Sequence, residues 1–460
     1  MNKKKKAFQL PHVYIILMLV MFLVVVMSWL IPSGEFAKLE GGAEFDPSGF
    51  SFLEEKPVIG FMDFFNAIPS GIAESASVIV SVLMVTGALA IYESTGAIKA
   101  GVDKILEISK GRESLVVMIL TLIFAILGTI GFGEGGLPFI PLAVTVVMAL
   151  GYDRMAGMAT AQLGFAVGFT SGIFNLFTTG ISQSLAGLPM FSAWWYRTVI
   201  FVACYIVTIV YLLNYCKRIK EDPSRSFFRE EYMKAVKEGE EEANKVEFTF
   251  RRKLTLAVLG FAFLFQAFGA LKLGWSLIEI GGFYVIVAIV GVIINGIDMN
   301  QACVTFAMGS SKLLPACLTI GLARGVYVLM AQAKIVDTLV YYLSQLLEGK
   351  GTVAIIFLVY VSVICFNFFV VSGSGKAMIL MPILSPLAKL TGISQQAMVI
   401  VYQLGDGFTN YIFPTSGGLV AGLAMCDVSW DKWFRFAWKI IGLLILMGFG
   451  FAALAQILGI

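Results

Sequence analysis

Long apolar runs fill most of this chain, and the charged residues lie mainly between those runs. A helix needs about 20 mainly apolar residues to cross the hydrocarbon core of a bilayer. The pattern therefore predicts an all-α polytopic membrane protein. The predicted spans and hairpin arms are residues 12–31, 72–92, 113–130, 137–150, 156–188, 195–216, 254–273, 278–297, 313–332, 352–371, 377–390, 395–424 and 433–458.

Two glycine-rich turns interrupt this pattern between paired apolar arms. Residues 131–136 read GFGEGG, and residues 372–376 read SGSGK. Irregular backbone is tolerated at membrane depth only where protein or a water-filled cavity covers it. Each turn therefore predicts the tip of a re-entrant hairpin; for the first turn, two ordinary spans are the alternative.

Two further apolar segments carry polar residues near their middle. Residues 156–188 are too long for one simple span, and residues 395–424 contain Pro414 followed by Thr415 and Ser416. Proline removes a backbone donor and breaks a helix. We predict that both segments are helices unwound at mid-depth in the membrane.

A shift of 241 residues superimposes the first hairpin and broken helix on the second. It places Pro141 on Pro382, and AQLG at 161–164 on YQLG at 402–405. The identities are few, so coincidence between glycine-rich apolar segments is the alternative. An additional span at 254–273 starts the second half from the opposite face, which predicts inverted repeats of the kind found in many secondary transporters.

The predicted domain organisation follows from this repeat. Residues 1–216 form the first repeat with an N-terminal span, residues 217–253 a charged cytoplasmic linker, and residues 254–460 the second repeat. The basic residues 3–6 place the N-terminus in the cytoplasm, because positively charged flanks stay inside.

Composition excludes several classes of protein. Hydrophobic residues make up 58% of the chain and charged residues 14%, whereas soluble domains carry about 25% charged residues. The net charge of +3 comes from basic residues grouped at span ends, so we expect a lipid bilayer and no nucleic acid as partner. His12 is the only histidine and the six cysteines are scattered singly, so no metal site is expected.

Catalytic motifs do not stand out in the sequence. It contains neither GxxxxGK[ST] nor HExxH, so we expect no direct use of ATP, no enzyme activity and no cofactor other than a coupling ion. Ser374 and Lys376 could form a hydrolytic pair, which is the enzyme alternative. Paired broken helices predict a closed central site and so argue against a channel.

Small polar residues and charges collect at the hairpin tips and helix breaks, which the predicted fold brings together. Half-helix N-termini favour a carboxylate, and hydroxyls and free carbonyls suit Na⁺ or an ammonium group. A hydroxyl in an apolar helix can instead bond back to its own turn. The candidate substrate-binding residues are Gly133, Glu134, Gly135, Asn175, Thr178, Thr179, Ser372, Gly373, Ser374, Lys376, Asp406, Asn410, Thr415 and Ser416.

Three of these candidates are charged: Glu134, Lys376 and Asp406. A lone charge in hydrocarbon is expensive, so each should face a partner or water. Lys376 could instead form a purely structural ion pair with an acid. Arg324 is a fourth intramembrane charge, which could pair with an acid elsewhere or reach the site.

The broken segments resemble a known family. Residues 175–197, NLFTTGISQSLAGLPMFSAWWYR, and PTSG at 414–417 resemble the YfcC-like carriers. Those carriers group with the C4-dicarboxylate anaerobic carriers and the ArcD-type arginine/ornithine exchangers of the ion transporter superfamily. The resemblance covers nearly the whole chain. Leu176 stands where the family's N-P-F-T motif has proline, which implies a gentler helix break.

The resemblance implies two inverted repeats, two opposed hairpins and a dimer-forming scaffold in a prokaryotic cytoplasmic (inner) membrane. It also implies elevator transport, in which the hairpins and broken helices form a mobile transport domain. The substrate stays open, because the family includes carriers of dicarboxylates and of basic amino acids. By family position the site is lined by Gly133, Glu134, Ser372, Gly373, Ser374, Asn175, Thr178, Thr179, Thr415 and Ser416.

Charge balance favours one substrate class. Glu134 and Asp406 outnumber Lys376, and each close unlike pair is worth about 4 kcal/mol near a surface. A basic amino acid such as arginine, ornithine or lysine leaves this site near neutral, whereas a dicarboxylate does not. We therefore predict a basic amino-acid antiporter, with an H⁺- or Na⁺-coupled C4-dicarboxylate carrier as the runner-up. The titratable acids favour proton coupling or exchange over sodium.

Overall fold

The computed structural model describes residues 12–38, 45–109, 111–131, 136–238, 247–273, 275–347 and 349–460. Over these residues the fold is mainly helical, as predicted. Among the described residues, six helices are long and apolar enough to cross a membrane: α1, α3, α9, α12, α16 and α20 in the order below. The helices are α1 (Val13–Leu30), α2 (Phe61–Glu74), α3 (Ala76–Ser94), α4 (Ala97–Ser109), α5 (Glu113–Thr129), α6 (Phe139–Ala149), α7 (Arg154–Ser171), α8 (Ile181–Leu185), α9 (Trp194–Glu221), α10 (Arg229–Glu238), α11 (Phe250–Lys272), α12 (Leu277–Asn295), α13 (Met299–Ser311), α14 (Leu314–Gln332), α15 (Val336–Leu347), α16 (Thr352–Phe369), α17 (Gly373–Leu390), α18 (Gln395–Gly407), α19 (Gly417–Met425) and α20 (Trp430–Ile457).

A small antiparallel sheet interrupts the helical fold, and the sequence prediction did not include it. Strands β1 (Gly34–Lys38) and β2 (Phe45–Phe52) pair between α1 and α2. The ring of Phe50 stacks on Tyr341 of α15 at 4.2 Å between centroids. This contact attaches the β1–β2 hairpin to the second half of the chain.

The order of elements recurs in the two halves of the chain. In each half a pair of helices (α3–α4, α14–α15) precedes two hairpin arms (α5–α6, α16–α17), a broken helix (α7–α8, α18–α19) and a long final helix (α9, α20). The first arms are short, with 17 residues in α5 and 11 in α6. This recurrence supports the repeat, while its inverted orientation and the domain boundaries stay predictions.

Glycines let each hairpin arm pack closely on the broken helix of its own half. A Cβ on Gly164 of α7 would lie 2.7 Å from the Thr121 carbonyl oxygen of α5. A Cβ on Gly405 of α18 would lie 3.1 Å from the Tyr360 carbonyl oxygen of α16. The predicted shift of 241 residues superimposes these two glycines. Small residues permit such close approach of helices in lipid.

The buried apolar side chains form two clusters. The larger runs from α1 and α2 through the hairpins, the broken helices and α20. The smaller joins the end of α3 to α11, α12 and α13 around Tyr92 and Tyr284. The second cluster therefore forms a separate bundle beside the elements that carry the candidate residues.

Part of the segment predicted as a linker packs against the start of α7. Asp153 caps α7 by accepting a hydrogen bond from Ala156 N at 2.8 Å. Its second oxygen accepts hydrogen bonds from Tyr215 at 2.5 Å and Ser226 at 2.6 Å. Burial raises the pKa of Asp153, although these hydrogen bonds oppose the shift. The residues just after α9 are thus held against the first broken helix.

Candidate solute site

The first helix break follows Ser171 at the end of α7. Gly172 adopts the left-handed conformation (φ 59°) that ends many helices. A π-helical turn at Leu176–Gly180 then leads into α8. Asn175 supports the turn, because its Oδ1 accepts hydrogen bonds from the backbone N–H groups of Phe177 and Thr178 at 3.1 and 3.3 Å. A side chain thus replaces part of the lost helical bonding.

The second break follows Gly407 at the end of α18. A 3₁₀ turn at Phe408–Tyr411 ends this arm, and α19 begins only after Pro414. Two indole N–H groups from the start of α20 satisfy freed carbonyls. Trp430 donates to Ile412 O at 2.9 Å, and Trp433 donates to Tyr411 O at 2.8 Å. Both predicted breaks are therefore present and supported by side-chain hydrogen bonds.

The two broken helices cross in direct contact. A Cβ on Gly407 would lie 2.3 Å from Thr170 Oγ1, so only glycine fits here. Gln403 of α18 donates to Phe169 O at 2.7 Å and accepts from Thr179 Oγ1 at 3.1 Å. Elements from the two halves of the chain thus form one polar centre.

The second hairpin tip reaches this centre. Ser372 caps α17 by accepting from Gly375 N at 3.2 Å. A Cβ on Gly373 would lie 2.6 Å from Thr178 Cγ2 and 3.2 Å from Asp406 Oδ2. The sequence placed residues 373–376 in the tip, but they form the first turn of α17, because the serine cap starts the helix there. The N-terminus of α17 therefore points at the broken segments.

The first hairpin contributes through the base of its tip. A Cβ on Gly131 would lie 2.6 Å from Asn175 Oδ1. Phe174 N also donates to Thr129 O at 2.9 Å. The predicted tip residues Gly133, Glu134 and Gly135 lie outside the described residues.

A buried ion pair lies at the centre of the site. Lys376 Nζ is 2.5 Å from Asp406 Oδ1, and both side chains are 0% exposed. Lys376 also donates to Val370 O at 3.0 Å and to the side-chain oxygen of Asn367. Asp406 Oδ2 has no hydrogen-bond partner among the described residues. Two of the three predicted charges therefore meet, and one carboxylate oxygen is left over.

Asn367 is a central residue that sequence reasoning missed. Its amide donates to Asp406 O at 2.9 Å, Thr409 Oγ1 at 2.6 Å and Asn410 Oδ1 at 2.9 Å. Together with its contact to Lys376, these bonds link the second hairpin to the second break. The sequence feature that could have identified Asn367 is an amide side chain within the apolar run 352–371.

Several buried polar atoms around the breaks have no protein partner. Native proteins pair nearly all such groups, and an unmade hydrogen bond costs about 1–3 kcal/mol. Unpaired groups therefore favour a bound solute, ion or water. Among the described residues they are Thr170 Oγ1, Asn175 Nδ2, Thr178 Oγ1 and Thr415 Oγ1.

The remaining candidates take varied positions. Thr179 Oγ1 donates to Gly172 O at 2.9 Å, and Ser416 is buried just before α19. Ser374 is half-buried in the first turn of α17. Arg324 Nε lies 2.7 Å from Glu74 Oε2 of α2. Of the two roles considered for Arg324, the structure therefore favours pairing with an acid away from the site.

A second buried cation, Arg197, was not predicted as a site residue. It is 1% exposed, and its Nε and Nη2 have no hydrogen-bond partner among the described residues. Arg197 lies 18 residues before Tyr215, and Ser171 lies 18 residues after Asp153. Eighteen residues make five turns and about 27 Å of helix. Because Tyr215 bonds Asp153 and α9 packs against α7, we infer that Arg197 lies on the α7 side of α9, at about the level of the first break.

Apolar helices, close-packed hairpins and a buried polar centre at two helix breaks define a multi-pass membrane transporter. The chain belongs to the DcuC family of C4-dicarboxylate anaerobic carriers, whose sequence model matches residues 10–457. This confirms the family resemblance found in the sequence.

Two relatives match over nearly their full length. One is the Escherichia coli (strain K12) protein named "Putative basic amino acid antiporter YfcC", which is 26% identical over 501 residues and covers 100% of this chain and 98% of its own. The other is an uncharacterized protein of Haemophilus influenzae, 28% identical and covering 97% of each chain.

Two solved structures also resemble the chain at low similarity. Neisseria gonorrhoeae MtrF, described with a class of antimetabolite efflux pumps, has 16% identity and a TM-score of 0.43 over 96% of this chain and 95% of its own. The Alcanivorax borkumensis YdaH transporter has 17% identity and a TM-score of 0.41 over 97% and 98%.

Proposed function

We propose that the protein is a secondary active antiporter of basic amino acids, of the arginine/ornithine or lysine type. The observation that carries the proposal is the buried Lys376–Asp406 pair, whose free oxygen Oδ2 lies beside Gly373 at the start of α17. An acid with unused acceptor capacity beside a helix N-terminus offers complementary places for an ammonium and a carboxylate.

The mutual neutralisation of Lys376 and Asp406 changes the charge argument made from the sequence. The pair contributes no net charge, so Glu134 at the first tip sets the balance among the three predicted charges. A solute with one net positive charge then leaves the site near neutral, as arginine, ornithine and lysine do. The substrate class therefore stays the same, although Lys376 no longer serves as an open carboxylate receptor.

The solute's α-carboxylate is proposed to meet the free N–H groups of Gly373 and Ser374. Its α-ammonium meets Asp406 Oδ2 and the unpaired hydroxyls of Thr170 and Thr178. Each partner then fills hydrogen-bonding capacity that is unused by the protein. The cationic side chain of the solute is proposed to pair with Glu134.

Transport is proposed to follow an elevator mechanism in a homodimer. The recurring order of helices supports two repeats, which in inverted orientation present one site to both faces in turn. The separate bundle of α11–α13 suits an immobile scaffold. Coupling is proposed to be exchange or proton-linked, because the site carries titratable acids.

A C4-dicarboxylate carrier is the second candidate, and Arg197 favours it. A buried guanidinium with two nitrogens unpaired among the described residues, at the inferred level of the first break, is suited to a carboxylate. The family as a whole is described by dicarboxylate transport. If Arg197 joins the site, its charge offsets Glu134 and weakens the preference for a cationic solute.

Counterflow in liposomes tests the two candidates. Purified protein is reconstituted into vesicles preloaded with ornithine, and uptake of labelled arginine is measured. We expect uptake that Asp406→Asn abolishes and that Arg324→Gln, the matched control away from the site, leaves intact. Exchange of succinate or fumarate with no movement of arginine, and loss of that exchange in Arg197→Gln, would overturn the assignment in favour of the second candidate.

A further inference from the structure

An open polar cavity of about 540 Å³ lies on the separate bundle, away from the solute site. Its walls come from the end of α3, the start of α11, the end of α12 and the start of α13. None of the lining residues that the structure describes is acidic. The polar lining includes Thr95, Thr249, Arg251, Arg252, Gln301 and Thr305.

The two arginines are held in place by backbone carbonyls. Arg252 donates to Glu247 O at 2.7 Å and to Thr95 O at 3.4 Å. Arg251 donates to Asn295 O at 3.5 Å. Carbonyls orient a guanidinium but leave its charge uncompensated, and neither arginine pairs with a carboxylate among the described residues.

Asp298 stands next to the cavity, just before α13. Asp298 caps α13, and its Oδ1 accepts from Gln301 N at 3.0 Å. The side-chain amide of Gln301 and the hydroxyl of Thr305 line the cavity and make no hydrogen bond among the described residues, so both are available as donors. The cavity therefore combines two fixed positive charges with neutral donors, which is the chemistry that binds a phosphate group.

Apolar side chains around the cavity indicate that such a phosphate would belong to a lipid with acyl chains. Five of them on α11 and α13 are exposed: Phe250, Leu254, Met299, Val304 and Met308. Exposed apolar side chains beside a basic pocket suit acyl chains below a headgroup. A soluble phosphate would leave these side chains unused.

The geometry points to a binding site for a phosphate-bearing anion, the headgroup of an anionic phospholipid, between α3, α11, α12 and α13. The phosphate is bound by Arg251 and Arg252, while its acyl chains lie along α11 and α13. A lipid bound there stabilises the separate bundle by mass action, since it binds the folded bundle and not the unfolded chain.

Lipid binding to the purified full-length protein tests the site. Native mass spectrometry in detergent measures occupancy by phosphatidylglycerol and by phosphatidylcholine of the same acyl composition. We expect the anionic lipid to bind preferentially, and Arg251→Gln/Arg252→Gln to weaken its binding by at least about tenfold, since hydrogen bonds to charged groups are the strong ones. Arg225→Gln, an exposed arginine paired with Asp222, is the control and should change nothing.

A second variant and a second ligand make the outcome decisive. Gln301→Glu leaves both arginines in place but adds a negative charge to the cavity, so it should also weaken binding of the anionic lipid. Inorganic phosphate is added as a competitor to separate the two sources of the anion. Displacement of the lipid at low millimolar phosphate would assign the site to a soluble anion. Equal binding of both lipids, or unchanged binding in both variants, would overturn the proposal.

Discussion

Replacing Asp406 by asparagine removes the only charge that compensates Lys376 among the described residues. The two atoms of the pair lie 2.5 Å apart and both side chains are fully buried. At an effective dielectric constant of about 20, Coulomb's law gives an attraction of roughly 6–7 kcal/mol. Most of that attraction offsets the desolvation of the two ions, so the pair as a whole contributes little net stability.

Removing one member of a buried ion pair destabilises a protein more than removing both members does. Asp406→Asn leaves a buried ammonium and Lys376→Met leaves a buried carboxylate, so each should destabilise the protein by about 3–5 kcal/mol. The double variant Lys376→Met/Asp406→Asn removes both charges and should be more stable than either single variant. All three variants should lose counterflow, because the double variant also lacks the carboxylate acceptor proposed for the solute.

The measurement is a double-mutant cycle in mild detergent. Unfolding of the four proteins is followed by denaturant titration, and the coupling energy between the two positions is calculated from the four stabilities. A coupling energy of several kcal/mol is expected. Additive losses, with the double variant least stable of all, would refute the view that these residues act as one buried ion pair.

Three further outcomes follow from the packing and charges of the described residues. Gly168→Ala should prevent close packing of α7 on α5, because its Cβ would lie 1.8 Å from Ala125 O, whereas Gly260→Ala, with open space around it, should be tolerated in the same expression and thermal-stability assay. Lys104→Gln should change stability by less than about 1 kcal/mol, since its ion pair with Glu107 is exposed. The raised pKa of Asp153 predicts that wild type gains stability relative to Asp153→Asn as the pH falls through that pKa toward 3.8 in denaturant titrations, and a constant difference would contradict it.

The spans and helix breaks could be predicted because lipid imposes strong rules on sequence. Backbone groups in hydrocarbon must bond internally, so apolar length marks a helix and clustered glycine, proline and polar residues mark its interruption. The predicted span 352–371 corresponds to α16 (Thr352–Phe369), and the predicted break in 395–424 lies between α18 and α19. The prediction that α17 starts only at residue 377 was wrong by one turn, because Ser372 caps the helix earlier.

The partners within the site could not be read from the sequence. Asn367 looks like one amide in an apolar run, and only the fold brings it beside Lys376 and Asn410. Arg197 follows three aromatic residues, which suggest a membrane interface, yet the fold buries it. The β-hairpin was missed because its strands are short and depend on stacking against Tyr341, far away in sequence. Each of these features depends on how the folded elements pack against one another, which the local sequence does not specify.

The buried Lys376–Asp406 pair makes the need for a coupled proton depend on the charges of the solute. A solute that carries both an ammonium and a carboxylate can approach the pair without leaving either charge unpaired, since it brings a partner for each. A dicarboxylate can pair with Lys376 only by drawing it away from Asp406, which then must bind a proton or remain as a buried, unpaired carboxylate. Basic amino-acid exchange should therefore be insensitive to an imposed pH gradient, whereas dicarboxylate transport by this site should follow the gradient. Counterflow of arginine that rises and falls with the pH gradient would show that Asp406 releases Lys376 even for a solute that carries both an ammonium and a carboxylate, and the charge-replacement argument would then fail.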